Sequence, residues 1–155
     1  MGAPRTDRAS RIVNAPLGRT FDALVDQQAL ESWLPPGDMS ARFERFDPRP
    51  GGSYRVVLTY ADPSTAQGKS SAEADVVEVR YLDIVPNERV VQAVDFVSDD
   101  PAFAGTMTMT WAVHPVDDRT RVDITAEAVP DGISAADHAA GLSASLENLA
   151  RYLES

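Results

Sequence analysis

Residues 133–154, ISAADHAAGLSASLENLARYLE, constrain this chain more than any other stretch. Leu142, Leu146, Leu149 and Leu153 recur at steps of four, three and four, which puts them on one stripe of a helix about five turns long. Such a stripe must be covered by another layer. Ser134 reads as the N-cap, with Asp137 three residues on, and Asp131-Gly132 breaks the segment before it. Within the run only Gly141 opposes a helix, at a cost of about 1 kcal/mol relative to alanine. A glycine there suggests that a strand or a ligand approaches the backbone. His138 lies one turn before Leu142 and is expected to share the leucine face. A polar ring directed inward is the first sign of a site.

A helix of this kind needs a partner layer, and the chain is long enough to supply one. Its 155 residues suit one domain, large enough to bury about two-thirds of the unfolded surface. Residues 1–8 read as a flexible tail and 9–155 as the single folded domain. The net charge of −10 argues against binding to nucleic acid or to anionic membrane surfaces. Cysteine is absent, which removes disulfides, thiolate nucleophiles and thiolate metal sites together. MGAPRTDRAS lacks an apolar leader core, and no run approaches the roughly 18 apolar residues of a membrane span. The expectation is a cytoplasmic protein without membrane insertion. Thirteen arginines stand against one lysine, Lys69, a bias of composition rather than a site.

Ala9 to Ala15 reads as a first strand, ended by Pro16, which suits the first turn of a helix. Phe21, Leu24, Val25, Leu30, Trp33 and Leu34 then fall at helical spacing. A break near Asp26-Gln27-Gln28 divides them into two short helices that end at Pro35-Pro36-Gly37. Strands follow. Met39–Phe46 and Ser53–Tyr60 flank a turn-rich connection and form a hairpin, with Tyr54, Val56, Leu58 and Tyr60 on one face. Residues 72–85 and 89–97 make two more strands around Pro86-Asn87-Glu88. From Thr106 to His114 the chain alternates, with Met107, Met109, Trp111 and Val113 on one side and threonines on the other. Pro115 to Arg119 reads as a turn. Val122, Ile124, Ala126 and Ala128 mark a last strand. Consecutive hairpins imply an antiparallel sheet whose apolar face the long helix covers.

This order, with NAPLGRTFDALVD and LESWLPP, FDPRPGGSYRVVLTY, LDIVPNERVV leading to VDFVSDD, GTMTMTW and GLSASLENLARYLE, resembles the START-like, helix-grip superfamily, also called SRPBCC or polyketide cyclase-like. Within it the chain is most similar to homologues of the C-terminal domain of the heat-shock-protein ATPase activator, over about residues 9–154. The resemblance implies an α+β fold: a curved seven-stranded antiparallel sheet gripping the C-terminal helix, with two short helices between strands 1 and 2. It also implies a cavity between sheet and helix that takes small apolar molecules. The fold hosts carriers, cyclases and co-chaperone domains, so it does not name the function.

Projecting the inward faces gives the candidate ligand-binding residues Trp33, Tyr54, Tyr60, Met107, Met109, Trp111, His138 and Leu142, with Phe103 as an apolar lid from the loop 98–104. For Val56, Leu58, Leu146 and Leu149 core packing suffices. The methionines can fill core gaps or adapt to a ligand. Each tryptophan carries an N–H that wants a partner and a ring that can stack on a guest. His138 is the one candidate acid or base. His114 ends a strand before a proline and reads as a surface residue. Arg55 shares parity with Val57 and Thr59 and should point outward. Asp95, Asp99 and Asp100 are ordinary turn chemistry, and Glu73, Asp75 and Glu78 an ordinary solvated run.

Nucleophile-elbow, phosphate-loop and dinucleotide fingerprints are absent. With two distant histidines and no cysteine, neither a metal nor a cofactor is expected. Three functions are compatible with these residues. The first is binding of a small hydrophobic molecule, lipid-, aromatic- or polyketide-like. The second is a cyclase, dehydratase or hydrolase in which His138 moves a proton. The third is a chaperone-interaction module, mildly disfavoured on the expectation of a single domain without the extra N-terminal domain of the eukaryotic activators. A homodimer is compatible with the sequence, which does not fix the oligomeric state.

Overall fold

The computed structural model describes residues 5–35, 40–59, 74–96, 105–130 and 132–154. Tyr60 and Phe103, and with Phe103 the expected lid, lie outside the described residues.

Strand β1 (Thr6–Val13) leads into helices α1 (Leu17–Val25) and α2 (Gln27–Trp33). Pro16 stands just before α1, and Asp26 ends it with extended backbone. The same Asp26 caps α2 by accepting from the Ala29 amide at 3.0 Å. Six strands follow: β2 (Ser40–Phe46), β3 (Ser53–Thr59), β4 (Ala74–Val85), β5 (Arg89–Phe96), β6 (Met107–Val116) and β7 (Arg119–Glu127). Helix α3 (Ala135–Glu154) closes the chain, its first turn capped by Ser134 Oγ, which accepts from the Asp137 amide at 3.0 Å.

All seven strands form one antiparallel sheet in the order β1-β7-β6-β5-β4-β3-β2. β2 to β7 run as a meander, and β1 pairs with β7 at the far edge. The sheet curves around α3, giving the α+β helix-grip architecture. Among the described residues no helix is long and apolar enough to cross a membrane.

Two boundaries differ from the sequence reading. β1 begins at Thr6, so Thr6–Arg8 are sheet residues, in register with Thr125–Glu127; pairing with a neighbouring strand, invisible in local pattern, orders them. Pro115 lies within β6, opposite Thr120, and the turn shrinks to Asp117-Asp118, where Asp117 adopts φ 57. Register with β5 ends at Ala112 and the last backbone bond toward that side is Val113 N–H to the Glu88 carbonyl at 2.9 Å, so Pro115, two residues on, removes no ladder bond there.

The concave face is apolar. Val13, Val56, Val79, Val90, Val122 and Ile124 are all at most 2% exposed, and Leu146, Leu149 and Leu153 of α3 pack into the same core. The convex face is charged. There Arg55 pairs with Glu44 and Glu78 at 2.8 and 2.6 Å, and Arg45 with Glu78 at 2.7 Å. His114 is exposed beside Asp123.

Candidate ligand cavity

The core is not filled throughout. Between the concave face, α2 and the N-terminal half of α3 lies a cavity of about 230 Å³. Strand alternation supplies one wall: Tyr54, Val56 and Leu58 from β3, Val77 and Val79 from β4, Val90, Gln92 and Val94 from β5, and Met107, Met109 and Trp111 from β6. Leu24, Leu30, Trp33 and Leu34 form the side, and His138, Gly141, Leu142 and Ser145 the roof. The roof residues fall at helical spacing on one side of α3.

The space exists because α3 is small-chained there. A Cβ placed on Gly141 would meet nothing within 4 Å. No strand approaches this glycine; it borders the opening instead. One and a half turns later Leu146 and Leu149 reach the sheet and are 2% and 0% exposed.

Trp33 and Trp111 meet edge to face, with ring centroids 5.4 Å apart and planes at 69°, a favoured aromatic arrangement. Their N–H groups differ. Trp33 Nε1 donates to the Ala23 carbonyl at 2.9 Å, so that donor is used within the fold. Trp111 Nε1 has no hydrogen-bond partner among the described residues.

His138 is held by a residue that sequence reasoning assigned to the tail. Its Nδ1 lies 2.6 Å from Asp7 Oδ2, and both side chains are 11% exposed. Asp7 also accepts from Arg5 Nε at 3.2 Å, while Arg5 Nη2 donates to the Ile133 carbonyl just ahead of α3. Burial acts to raise the Asp7 pKa, but hydrogen bonds from His138 and Arg5, with the Arg5 charge, outweigh it. They hold the carboxyl below its ordinary value. The carboxylate can only accept, so Nδ1 donates to it, and in the neutral ring Nε2 is an acceptor with no partner among the described residues.

A second polar group lies in the floor. Gln92 hydrogen-bonds Tyr54, and the Tyr81 ring packs 5.8 Å from that of Tyr54. Burial pushes the Tyr54 pKa up, and burial together with Tyr54 does the same for Tyr81. Both phenols therefore remain protonated. The Tyr81 hydroxyl is the one buried side-chain polar atom without a partner among the described residues.

Of the residues singled out from sequence, Trp33, Tyr54, Met107, Met109, Trp111, His138 and Leu142 meet at this cavity. Gln92, Ser145 and Asp7 were missed. Gln92 had a signal, since it shares parity with Val90 and Val94; Asp7 had none. Among the described residues no three acidic or histidine side chains gather into a metal-binding group. Chemically the cavity offers apolar walls, an oriented imidazole, an indole N–H without a partner among the described residues and a protonated phenol paired with an amide.

Residues 14–154 match the family model described as Activator of Hsp90 ATPase homolog 1-like protein. A crystal structure of a protein from Chromobacterium violaceum is 30% identical, with a TM-score of 0.84 over 97% of each chain. One from Rhizobium loti is 26% identical, with a TM-score of 0.76 over 97% of each. DynU16, a protein in the dynemicin biosynthetic locus, is 20% identical with a TM-score of 0.69, over 97% of this chain and 47% of that one; at that identity it speaks for the fold alone. No curated protein is significantly similar in sequence.

Proposed function

The chain belongs to the Activator of Hsp90 ATPase homolog 1-like family, and from that premise we propose that it binds a small hydrophobic molecule in the cavity between sheet and C-terminal helix. The carrying observation is the enclosure itself: about 230 Å³ walled by aliphatic, methionine and tryptophan side chains, with only a few polar groups. That is the composition of a small-molecule site. Apolar burial supplies affinity, and His138, Trp111 and the Tyr54–Gln92 pair supply orientation. The volume exceeds the roughly 150 Å³ of an engineered apolar cavity that accepts benzene.

Thermal shift against hydrophobic compounds, with native mass spectrometry of freshly purified protein, tests this reading. A ligand at 100 times its Kd adds about 2.7 kcal/mol, which should raise Tm by about 5–10 °C for a domain of this size. If no lipid, flavonoid or polyketide moves Tm and no adduct is retained, the reading fails.

The Asp7–His138 pair favours one further reading, an enzyme in which the oriented imidazole moves a proton on the bound molecule. Turnover of a bound compound, lost in His138→Ala with binding retained, would distinguish it from a carrier. The family description also suggests a chaperone-directed role through the outer surface; stimulation of an Hsp90 ATPase that cavity substitutions leave unchanged would favour that role.

A further inference from the structure

The geometry points to the class of ligand: a neutral aromatic of one to two fused rings bearing an O–H group, a phenol or enol, whose hydroxyl donates to His138 Nε2. This inference rests on the cavity being a binding site, and three observations carry it.

The first is size. About 230 Å³, set against roughly 150 Å³ for a benzene-binding void, accommodates a bicyclic ring system and is too small to enclose a long acyl chain. Flat rings also match the walls, where the edge-to-face Trp33–Trp111 pair and Met109 present aromatic and thioether surfaces.

The second is the direction of the hydrogen bond. Asp7 Oδ2 lies 2.6 Å from His138 Nδ1, and Asp7 is not on the cavity wall, whereas His138 is. With Nδ1 engaged by Asp7, Nε2 is the ring nitrogen left for a guest in the cavity, and in the neutral ring it accepts. A buried acceptor selects a guest that brings a donor, because a guest without one leaves it unpaired. Trp111 Nε1–H, 6% exposed as a residue and without a partner among the described residues, complements this by donating to an oxygen of the same guest.

The third is charge. The Asp7 carboxylate beside His138 is itself an anion, and Arg5 is engaged by Asp7 and the Ile133 carbonyl. An anionic guest would be desolvated among apolar walls with no lysine or arginine among the described lining residues to pair it.

Calorimetric titration of the full chain at pH 7.5 with 2-naphthol, 2-methoxynaphthalene, naphthalene, 2-naphthoate and palmitate tests the inference. We expect 2-naphthol to bind about tenfold tighter than 2-methoxynaphthalene, which keeps the oxygen and lacks the proton. In His138→Leu that gap should close while naphthalene still binds; if this variant does not fold, the five-probe ranking on the wild-type chain decides alone. Equal affinity for the three neutral naphthalenes, or tighter binding of 2-naphthoate, would overturn the ligand class and leave the cavity reading intact. Binding of palmitate without any naphthalene would overturn it on size, again sparing the cavity. Binding of none of the five, together with a negative thermal-shift screen, would remove both.

Discussion

The two halves of α3 share a backbone, a sheet beneath them and a helical period, yet they do opposite things. From Leu146 to Leu153 the inward positions carry leucine and alanine and reach the sheet: Leu149 is 0% and Leu153 1% exposed. From His138 to Ser145 the inward positions carry an imidazole, a glycine, one leucine and a hydroxyl, and they roof a void. One half is anchor and the other is ceiling. Close packing is the default in protein interiors, so the hollow half gives up dispersion contacts that its neighbour keeps. It is tied down by polar means instead, through Asp7, Arg5 and the carbonyl of Ile133. A binding fold can thus keep its stability in one part of a helix and its vacancy in another.

The contrast is most directly broken by truncating one leucine from each half. Leu149→Ala should cost about 3 kcal/mol in urea unfolding, since it opens a new cavity in a filled region, and Leu142→Ala about 1–2 kcal/mol, since it only enlarges an existing one. Equal costs would mean that the two halves are packed alike. Next comes the polar clamp. Asp7→Asn should lose about 1–2 kcal/mol at pH 7, where charge-assisted bonds to His138 and Arg5 are present. The sign with pH follows from the lowered Asp7 pKa: its contribution is complete above the unfolded-state value and fades as pH falls through the folded one. Wild type and variant should therefore converge in strong acid; a difference independent of pH would assign the loss to packing. The smallest effect concerns Gly141. Gly141→Ala meets open space, so it should stabilise the helix by about 0.5–1 kcal/mol while weakening ligand binding at the cavity rim. A fall in Tm would show that the glycine is needed by the fold rather than by the opening.

Much of this was legible in the sequence because it was periodic. The leucine stripe located α3, and alternation placed Tyr54, Met107, Met109 and Trp111 on the concave face. The turn residues then separated the strands of the meander. What escaped lacked a local signature. Asp7 stands in a stretch whose strand character comes from pairing with β7, and its partner His138 is 131 residues away. Nor could the two tryptophans be told apart: only the approach of the Ala23 carbonyl occupies the Trp33 N–H, while that of Trp111 has no partner among the described residues. Gln92 was legible in principle, as the polar member of an apolar parity set.

Hydrophobic period and turn chemistry act over a few residues, so the order of elements, the faces they bury and the family to which they belong are all readable along the chain. That the buried faces fail to meet beneath Gly141, and that Nδ1 of His138 is the nitrogen engaged by Asp7, emerges only from the folded chain. Both depend on distances between segments far apart in the chain, and such distances are set by packing.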